Sequence, residues 1–416
     1  MNNICEYNQC TACAACVNIC VHNCITLTED KFGELHPVVD NDRCVNCGLC
    51  ERACPNNIQP TFYTPKKCYA SWIDDIDKRR ICASGGIGTI MSEYVIKNSG
   101  VVFGSRYDED LNPIMTYTET LEGVEKFKGS RYVQSFVGND TLKNVKKFLQ
   151  TNKLVLFIGT PCQIAGLLGY LRKSYENLIT VDLICHGVSP SSYLKQEISF
   201  LCEKYKLRGI ADVRFRGNDG NDYQLTIWDE NKKKIFPRDN LFQKMTYSDA
   251  SQQYYIQGFL KGVSMRENCY GCKYARPERI SDITIGDFIG LGKNTPFPYS
   301  TKNVSSVILN TDKGAAFYEL VSSYMQVLNN VERTYEERLM YKPSLVHPFP
   351  RHILNKKFRD AYEKCGFVTS IRSVLYKDFK ERQFKYFMKL PLKISKKILV
   401  FFSCRNSNKY SEHTIL

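Results

Sequence analysis

The sequence has 416 residues, of which 43% are apolar and 24% charged, as in soluble globular proteins of two or three domains. It lacks both the ~20-residue apolar run of a transmembrane helix and the apolar core of a secretory signal, so we expect a cytoplasmic protein. Its formal net charge of +14 favours acidic partners, and no nucleic-acid-binding motif accompanies that charge. The 19 cysteines are therefore expected to bind metal in a reducing compartment rather than to form disulfides.

The first sixty residues contain a repeated cysteine pattern. The spacing C-x2-C-x2-C-x3-C occurs twice, 34 residues apart, at Cys10, Cys13, Cys16 and Cys20 and again at Cys44, Cys47, Cys50 and Cys54. In two-cluster ferredoxins, three cysteines of such a run ligate one [4Fe–4S] cluster and the fourth ligates the other. The spacing therefore predicts one cluster on Cys10, Cys13, Cys16 and Cys54, and a second on Cys44, Cys47, Cys50 and Cys20.

Zinc is the alternative metal for these runs. Zinc sites favour two separated C-x2-C pairs, and two identical four-cysteine runs fit that arrangement poorly. Cys5 and Cys24 lie outside the runs, and we interpret both as small buried apolar side chains.

The predicted secondary structure changes character along the chain. Two short strands are expected at 25–28 and 34–39, joined by a turn that uses the positive φ available to Gly33. Strands at 101–104, 154–158 and 178–185 then alternate with helices at 89–97, 163–172 and 190–205, which indicates α/β organisation. Ser189 is the expected N-cap of the last of these helices, with Pro190 at its first position. From about residue 311 the chain is predicted to be mostly helical.

Four further cysteines occupy loop-like positions. Cys162 and Cys185 follow predicted strands, and Cys269 and Cys272 form a C-x2-C pair. Four thiolates are the number that one more cluster needs, but dispersed cysteines are as often core residues, so the spacing leaves both interpretations open.

A glycine-containing segment, 84–88, precedes one of the predicted helices. Glycines at a helix N-terminus let backbone N–H groups approach a pyrophosphate, although a tight turn before a helix explains them at least as well.

The sequence resembles the coenzyme F-420 (deazaflavin) hydrogenase/dehydrogenase beta-subunit family, in the subgroup that has an N-terminal 2×[4Fe–4S] ferredoxin domain. The matching segments run in the family's order, and the strings GTPCQ and CHG are the most specific of them. They lie at 84–87, 128–135, 159–167, 182–190, 266–272 and 281–288.

Members of this family are iron–sulfur flavoproteins, so the resemblance implies both FAD and a third [4Fe–4S] cluster. It implies that Cys162, Cys185, Cys269 and Cys272 ligate this cluster, with Cys82 as the substitute ligand. The implied flavin contacts are Ser84, Gly85, Gly86, Gly129, Ser130, Arg131, Tyr132, Gln134, Ser135, Thr160 and Pro161. His186 is the candidate catalytic proton donor, although a lone histidine more often has a structural role.

The predicted fold class is α+β / α/β. A bacterial-type 2[4Fe–4S] ferredoxin domain at 1–60 is followed at 61–150 by the N-terminal, flavin-binding region that is typical of the family's beta subunits. The C-terminal domain of this type, with the core cluster, is expected at 151–310, and a helical basic region at 311–416.

The predicted function is that of an oxidoreductase that moves electrons between ferredoxin-type clusters and FAD, and on to or from a two-electron substrate or a deazaflavin-type carrier. The alternative is a non-catalytic electron-transfer subunit of a larger redox complex. The expected partner is ferredoxin or another acidic electron carrier, and the identity of the small-molecule substrate is not predicted. Basic and apolar residues within 384–399 suit peripheral membrane contact, although a surface helix that covers the core explains them more simply.

Overall fold

The computed structural model of the chain describes residues 4–216, 223–238, 253–325, 328–385 and 387–388. The strands are β1 (Ile25–Glu29), β2 (Leu35–Val39), β3 (Lys67–Ile73), β4 (Val101–Tyr107), β5 (Pro113–Thr118), β6 (Phe136–Val137), β7 (Val155–Gly159), β8 (Leu178–Leu183), β9 (Ile210–Arg216), β10 (Tyr223–Asp229), β11 (Lys234–Phe236), β12 (Ile283–Asp287), β13 (Ser305–Leu309) and β14 (Leu328–Arg333).

The α-helices are α1 (Ala15–Ile19), α2 (Leu49–Ala53), α3 (Ile76–Ile81), α4 (Ile87–Lys97), α5 (Leu121–Glu125), α6 (Thr141–Gln150), α7 (Pro161–Leu171), α8 (Ser191–Tyr205), α9 (Tyr254–Leu260), α10 (Asp312–Met325), α11 (Tyr335–Leu339) and α12 (Asn355–Val374). Short 3-10 helices span Tyr7–Gln9, Glu267–Gly271 and Pro343–Leu345. In the described part of the chain, no helix combines the length and the apolar character needed to cross a membrane.

The N-terminal unit repeats one small motif. The antiparallel hairpin β1–β2 turns at Gly33, whose φ of +71° confirms the predicted turn. Each cysteine run leads into a one-turn helix, α1 or α2, through a residue in the left-handed region: Ala14 at φ +58° and Gly48 at φ +70°. The two halves of the unit therefore present their cysteines in the same local geometry.

A mixed nine-stranded sheet forms the centre of the molecule, in the order β14-β3-β13-β12-β8-β7-β4-β5-β6. The strands β12, β8, β7 and β4 are mutually parallel, so their carboxyl ends meet at one edge. Helices α4 and α10 cover one face, and α6, α7 and the N-terminal unit cover the other. The predicted α+β / α/β class with an N-terminal ferredoxin-type unit is confirmed.

A smaller antiparallel sheet, β11-β10-β9, packs with α8, α9 and α12 around a second apolar core. Three of the four segments predicted as domains contribute strands to the central sheet. The first of them supplies β3 to β6, the second supplies β7, β8, β12 and β13, and the third supplies β14.

One local prediction is wrong, and another omits a strand. Helix α8 begins at Ser191 with Pro190 at the cap position, because the hydroxyl of the fully buried Ser189 pairs with that of Ser264 at 3.2 Å and does not cap the helix. The region after 311 also contains a strand, β14, which pairs antiparallel with β3. Most of its side chains are not buried, and so the strand lacks an apolar signal in the sequence. Of the basic and aromatic segment 384–399, residues 386 and 389–399 lie outside the described residues, and its membrane contact stays a prediction.

Candidate functional site

A cavity of about 440 Å³ opens at the carboxyl edge of β4, β7, β8 and β12. This edge is where open α/β sheets bind ligands, because loops rather than strands follow each carboxyl end. Most of the predicted site residues line the cavity: Ser84, Gly129, Ser130, Arg131, Tyr132, Gln134, Ser135, Thr160, Pro161, Cys162, Cys185, His186, Cys269 and Cys272. Gly85 and Gly86 do not line it.

The two glycines outside the cavity have a packing role. A Cβ on Gly85 would collide with the carbonyl of Ser71, and one on Gly86, where φ is +86°, would collide with Ile73. The Gly85 N–H donates to Ser305 Oγ at 2.9 Å. These contacts hold the loop against the sheet, so that the N-terminus of α4 reaches the cavity at Gly88 and Thr89.

The segment 129–135 crosses the cavity wall with several of its polar side chains already engaged. Arg131 donates to the carbonyls of residues 126–128, the shortest of these bonds being 2.7 Å, and its guanidinium lies over the ring of Tyr107. Tyr132 stacks on Phe259 with ring centroids 5.5 Å apart. Ser135 shares a 2.6 Å hydrogen bond with Ser105. Gly129 has open space around its Cα, so a ligand can approach the backbone there.

The start of α7 presents Cys162 to the cavity. Thr160 and Gln163 form a capping box, with Gln163 Oε1 accepting from the Thr160 N–H at 2.9 Å, and Pro161 opens the helix. The Thr160 hydroxyl lies 3.2 Å from Cys162 Sγ. Local sequence therefore determines where this cysteine points.

The structure brings Cys162, Cys185, Cys269 and Cys272 together at the cavity. Burial, with a smaller contribution from the neighbouring Cys185, raises the pKa of the Cys162 thiol to about 12. Burial likewise raises the pKa of Cys185 to about 11, with a contribution from Cys272. Four thiols that disfavour one another's ionisation need a bound cation to become thiolates together, which an iron–sulfur cluster supplies.

In the described ranges, no three His, Cys, Asp or Glu side chains are grouped closely enough to hold one metal ion. The preference for clusters over zinc rests on the spacing of the cysteine runs in the sequence. Cys82, the predicted substitute ligand, is buried in the core formed with Ile73 and Ile87 instead.

The two ferredoxin-type sets differ in exposure. Cys10, Cys13, Cys16 and Cys54 are all buried. In the other set, Cys47 is exposed and Cys44 is partly exposed. The second set thus lies at the molecular surface, where an external electron carrier can approach it.

The structure changes the interpretation of Cys5 and Cys24. Hydrogen bonding with Cys5 lowers the pKa of Cys10 to about 4 and that of Cys54 to about 7. Cys24 Sγ lies 3.3 Å from Cys20 Sγ. Each of these two cysteines therefore contacts predicted cluster ligands, one beside each set, and is more than an apolar filler.

One turn of α7 separates the core cysteines from the nearer ferredoxin-type set. Gly166, four residues after Cys162, packs so closely on Cys13 that an added Cβ would lie 2.8 Å from Cys13 Sγ. Four helical residues rise about 6 Å. Tyr274 packs in the same core as Cys13 and Cys162. Burial raises the pKa of its hydroxyl, and the thiols of both cysteines contribute to the rise.

Sequence reasoning did not single out Arg266. Its side chain is fully buried and donates to Gln134 Oε1 at 2.8 Å, to Asn268 Oδ1 at 3.0 Å, and to the carbonyls of Cys10 and Leu35 at 3.1 Å. The arginine thus ties the first cysteine run to the cavity wall. Its position three residues before Cys269 is the one sequence signal that could have indicated it.

His186 borders the cavity between the rings of Phe259 and Phe349, at centroid distances of 5.1 and 4.1 Å. Burial, with a smaller contribution from the nearby charge of Lys342, lowers the pKa of its imidazole to about 4. Five buried polar atoms on side chains that line the cavity have no hydrogen-bond partner in the described structure: Thr11 Oγ1, Arg131 Nε, His186 Nε2, Arg338 Nη1 and Ser344 Oγ. Unpartnered buried polar atoms are costly, so the cavity fits a ligand that carries polar groups, as a flavin nucleotide does.

Comparisons with known proteins cover both parts of the chain. Residues 9–58 match the family described as 4Fe-4S dicluster domain. Residues 152–332 match the family described as the C terminus of the coenzyme F420 hydrogenase/dehydrogenase beta subunit. A curated relative, a 7Fe ferredoxin from Hydrogenibacillus schlegelii, is 40% identical over 68 residues, which span 16% of this chain and 76% of that protein.

Among solved structures, the F420-reducing [NiFe] hydrogenase complex from Methanosarcina barkeri contains a chain that resembles this one. The TM-score is 0.44 and the identity 15%, over 77% of this chain and 93% of that chain. The family matches confirm the predicted resemblance. Residues 152–332 belong to the C-terminal part of the coenzyme F420 hydrogenase/dehydrogenase beta-subunit family, and residues 9–58 form a 4Fe–4S dicluster domain.

Proposed function

We propose that this protein is an iron–sulfur flavoprotein oxidoreductase that moves electrons between its [4Fe–4S] clusters and FAD, and on to or from a two-electron substrate or a deazaflavin-type carrier. One observation carries the proposal. The candidate flavin segments and four cysteines share a single cavity, which lies one helical turn from Cys13. A bound flavin can exchange two electrons with a substrate and single electrons with iron–sulfur clusters.

The cysteine positions support an order for the three cluster sites. Cys162, Cys185, Cys269 and Cys272 would hold the cluster nearest the cavity. Cys10, Cys13, Cys16 and Cys54 would hold the next, because Gly166 of α7 contacts Cys13. The set with Cys47 would be outermost, since that thiol is exposed and accessible to ferredoxin or another acidic carrier.

The cavity wall supports the flavin assignment. The first N–H groups of a helix have no partners within the helix, and Gly88 and Thr89 bring those of α4 to the cavity. The aromatic face of Tyr132, the hydroxyl of Ser130 and the open backbone at Gly129 would complete the contacts. His186 is the candidate residue for proton transfer, because its Nε2 is buried at the cavity without a partner.

A second candidate is an electron-transfer subunit without a substrate of its own. The matched family is described as a beta subunit, which favours action within a complex. The two candidates differ in whether the isolated chain reduces or oxidises a small molecule.

The test is anaerobic reconstitution of the full chain with iron, sulfide and FAD, followed by measurement of iron and flavin per chain. We expect about twelve irons and one FAD for the wild type, and about four irons fewer for Cys162→Ala. The matched control is Cys202→Ala, because Cys202 lies on α8, outside the cavity lining. An unchanged iron count in Cys162→Ala would exclude the core cluster.

The flavin content has its own consequence. A chain that binds no FAD after reconstitution is not a flavoprotein, and the proposal then fails in favour of the second candidate. A chain that binds FAD but turns over small molecules only with a partner protein also supports the second candidate.

A further inference from the structure

The cavity has an excess of positive charge. Five cations line it (Lys128, Arg131, Arg266, Arg338 and Lys342), against one carboxylate among the described lining residues, Asp287. That carboxylate is already used, because it forms an ion pair with Arg216 and accepts from the Tyr223 hydroxyl at 3.1 Å. The lining cations are therefore not balanced by Asp287.

Two of the five cations are fully engaged by the protein itself: Lys128 pairs with Glu125 at 2.6 Å, and Arg266 donates through all three guanidinium nitrogens. Arg131 donates to backbone carbonyls through its two terminal nitrogens, has an unpartnered Nε, and belongs to the segment assigned to the flavin. Arg338 and Lys342 differ from them, and both lie near the end of β12, where Asp287 ends the strand.

Arg338 is fully buried and has an unused donor. Its Nε donates to Ser306 Oγ at 3.0 Å and its Nη2 to the Asp287 carbonyl at 2.8 Å. Its Nη1 is buried and has no partner in the described structure. Lys342 forms no ion pair with any described residue, and its charge acts on Cys185 and His186. Uncompensated cations at a buried site are costly unless an anion binds there.

This cation pair is separate from the glycine loop. Along a strand, successive side chains point to opposite faces of the sheet. In β13, Ser305 holds Gly85 of the loop, and the next residue, Ser306, holds Arg338. The N-terminus of α4 and the Arg338–Lys342 pair therefore meet the cavity from opposite faces of the sheet.

We propose that Arg338 and Lys342 bind an anionic group, a carboxylate or a phosphate monoester, of the two-electron substrate. This inference rests on the proposed function and adds the chemical class of the substrate. An anion at this pair would sit beside His186 and Cys185, and so it would orient the reacting part of the substrate toward the candidate residue for proton transfer.

The test uses the FAD-loaded, iron-loaded protein and inorganic phosphate as the probe, titrated calorimetrically at an ionic strength held constant with chloride. We expect saturable phosphate binding by the wild type and at least tenfold weaker binding by Lys342→Met, with an unchanged FAD content. The matched control is Lys147→Met, because Lys147 is exposed on α6, away from the cavity, and this variant should bind phosphate like the wild type.

Lys342→Met carries the test because Arg338 also supports Ser306 and Asp287, so Arg338→Met has a second effect on folding. Phosphate binding no stronger than that of chloride, or unaltered in Lys342→Met, would overturn the inference. Loss of FAD from Lys342→Met would also overturn it, because the pair would then hold the cofactor. Absence of FAD from the reconstituted wild type would instead refute the proposed function. The FAD measurement does not depend on phosphate binding.

Discussion

Glu197 couples the stability of the cavity wall to pH. This residue is fully buried on α8, and its carboxylate accepts hydrogen bonds from the N–H groups of Tyr254, at 2.8 Å, and Tyr255. These two residues start α9, which carries Phe259 to the ring of His186. Burial raises the pKa of Glu197 from its ordinary 4.5 to about 8, although the two backbone donors oppose the shift.

The sign of the pH effect follows from proton linkage. Between pH 4.5 and about 8, the folded protein retains the Glu197 proton that the unfolded chain has released. The free energy of unfolding therefore falls as the pH rises through this window. A pKa difference of about 3.5 corresponds to about 5 kcal/mol in full, of which about 3 kcal/mol is lost between pH 5.5 and 8.5.

The variant Glu197→Gln keeps the shape of the protonated acid and removes its ionisation. Because Gln offers one acceptor oxygen where Glu197 offers two, the variant loses the hydrogen bond from one of the two N–H groups and should be less stable than the wild type at pH 5.5. Its free energy of unfolding should not fall between pH 5.5 and 8.5 as that of the wild type does. The assay is anaerobic urea denaturation of the iron-loaded protein at several pH values, followed by far-UV circular dichroism. Glu203→Gln is the matched control, because Glu203 is exposed on the same helix and should leave the pH profile unchanged. A Glu197→Gln profile parallel to that of the wild type would refute the reasoning.

Other variants test the contacts around the clusters. Gly166→Ala gains about 1 kcal/mol of helix propensity but adds a Cβ 2.5 Å from Cys13 Cβ, so we expect a net loss of up to about 2 kcal/mol in urea denaturation and slower electron exchange between the cavity and the N-terminal clusters. A variant more stable than the wild type would contradict the close contact. Arg266→Met leaves Gln134 Oε1 and the Cys10 carbonyl without donors, at about 1–3 kcal/mol each, and should lower the melting temperature, with partial recovery in Arg266→Lys. Removal of iron by an anaerobic chelator should unfold the N-terminal domain before the rest, as measured by limited proteolysis, because metal-binding energy is folding energy in small metal domains; simultaneous cleavage of both parts would contradict this.

Much of the fold followed from local sequence patterns. The strand predicted at 101–104 and the helix predicted at 163–172 exist as β4 and α7, with ends shifted by up to three residues. Each of these elements has a continuous apolar run or a clear helix cap. Both kinds of signal can be read from a few neighbouring residues of the sequence. The strand β14 was missed because most of its side chains are not buried, so that pairing with β3 rather than an apolar pattern makes it a strand.

Part of the candidate site was also predicted from local sequence patterns. The segments that line the cavity follow strands or precede helices, and so the sequence could indicate Cys162 and Cys185 one at a time. The sequence could not indicate that Gly85 and Gly86 lie outside the cavity and serve packing. The residues that they pack against, Ser71 and Ile73, lie on β3, and only the folded structure places β3 beside the glycine loop.

The sequence by itself determined the eight ferredoxin-type cysteines, since cluster ligation by C-x2-C-x2-C-x3-C depends on spacing within one loop. Only the tertiary structure decided what surrounds them. It placed Gly166 on Cys13, and it joined Arg266 to the Cys10 carbonyl across 256 positions of the chain. It also left Arg338 with a free donor beside the cavity. The spacing of cysteines is a property of a short segment of sequence. The burial of a side chain and its hydrogen-bond partners depend on which distant segments the sheet brings together.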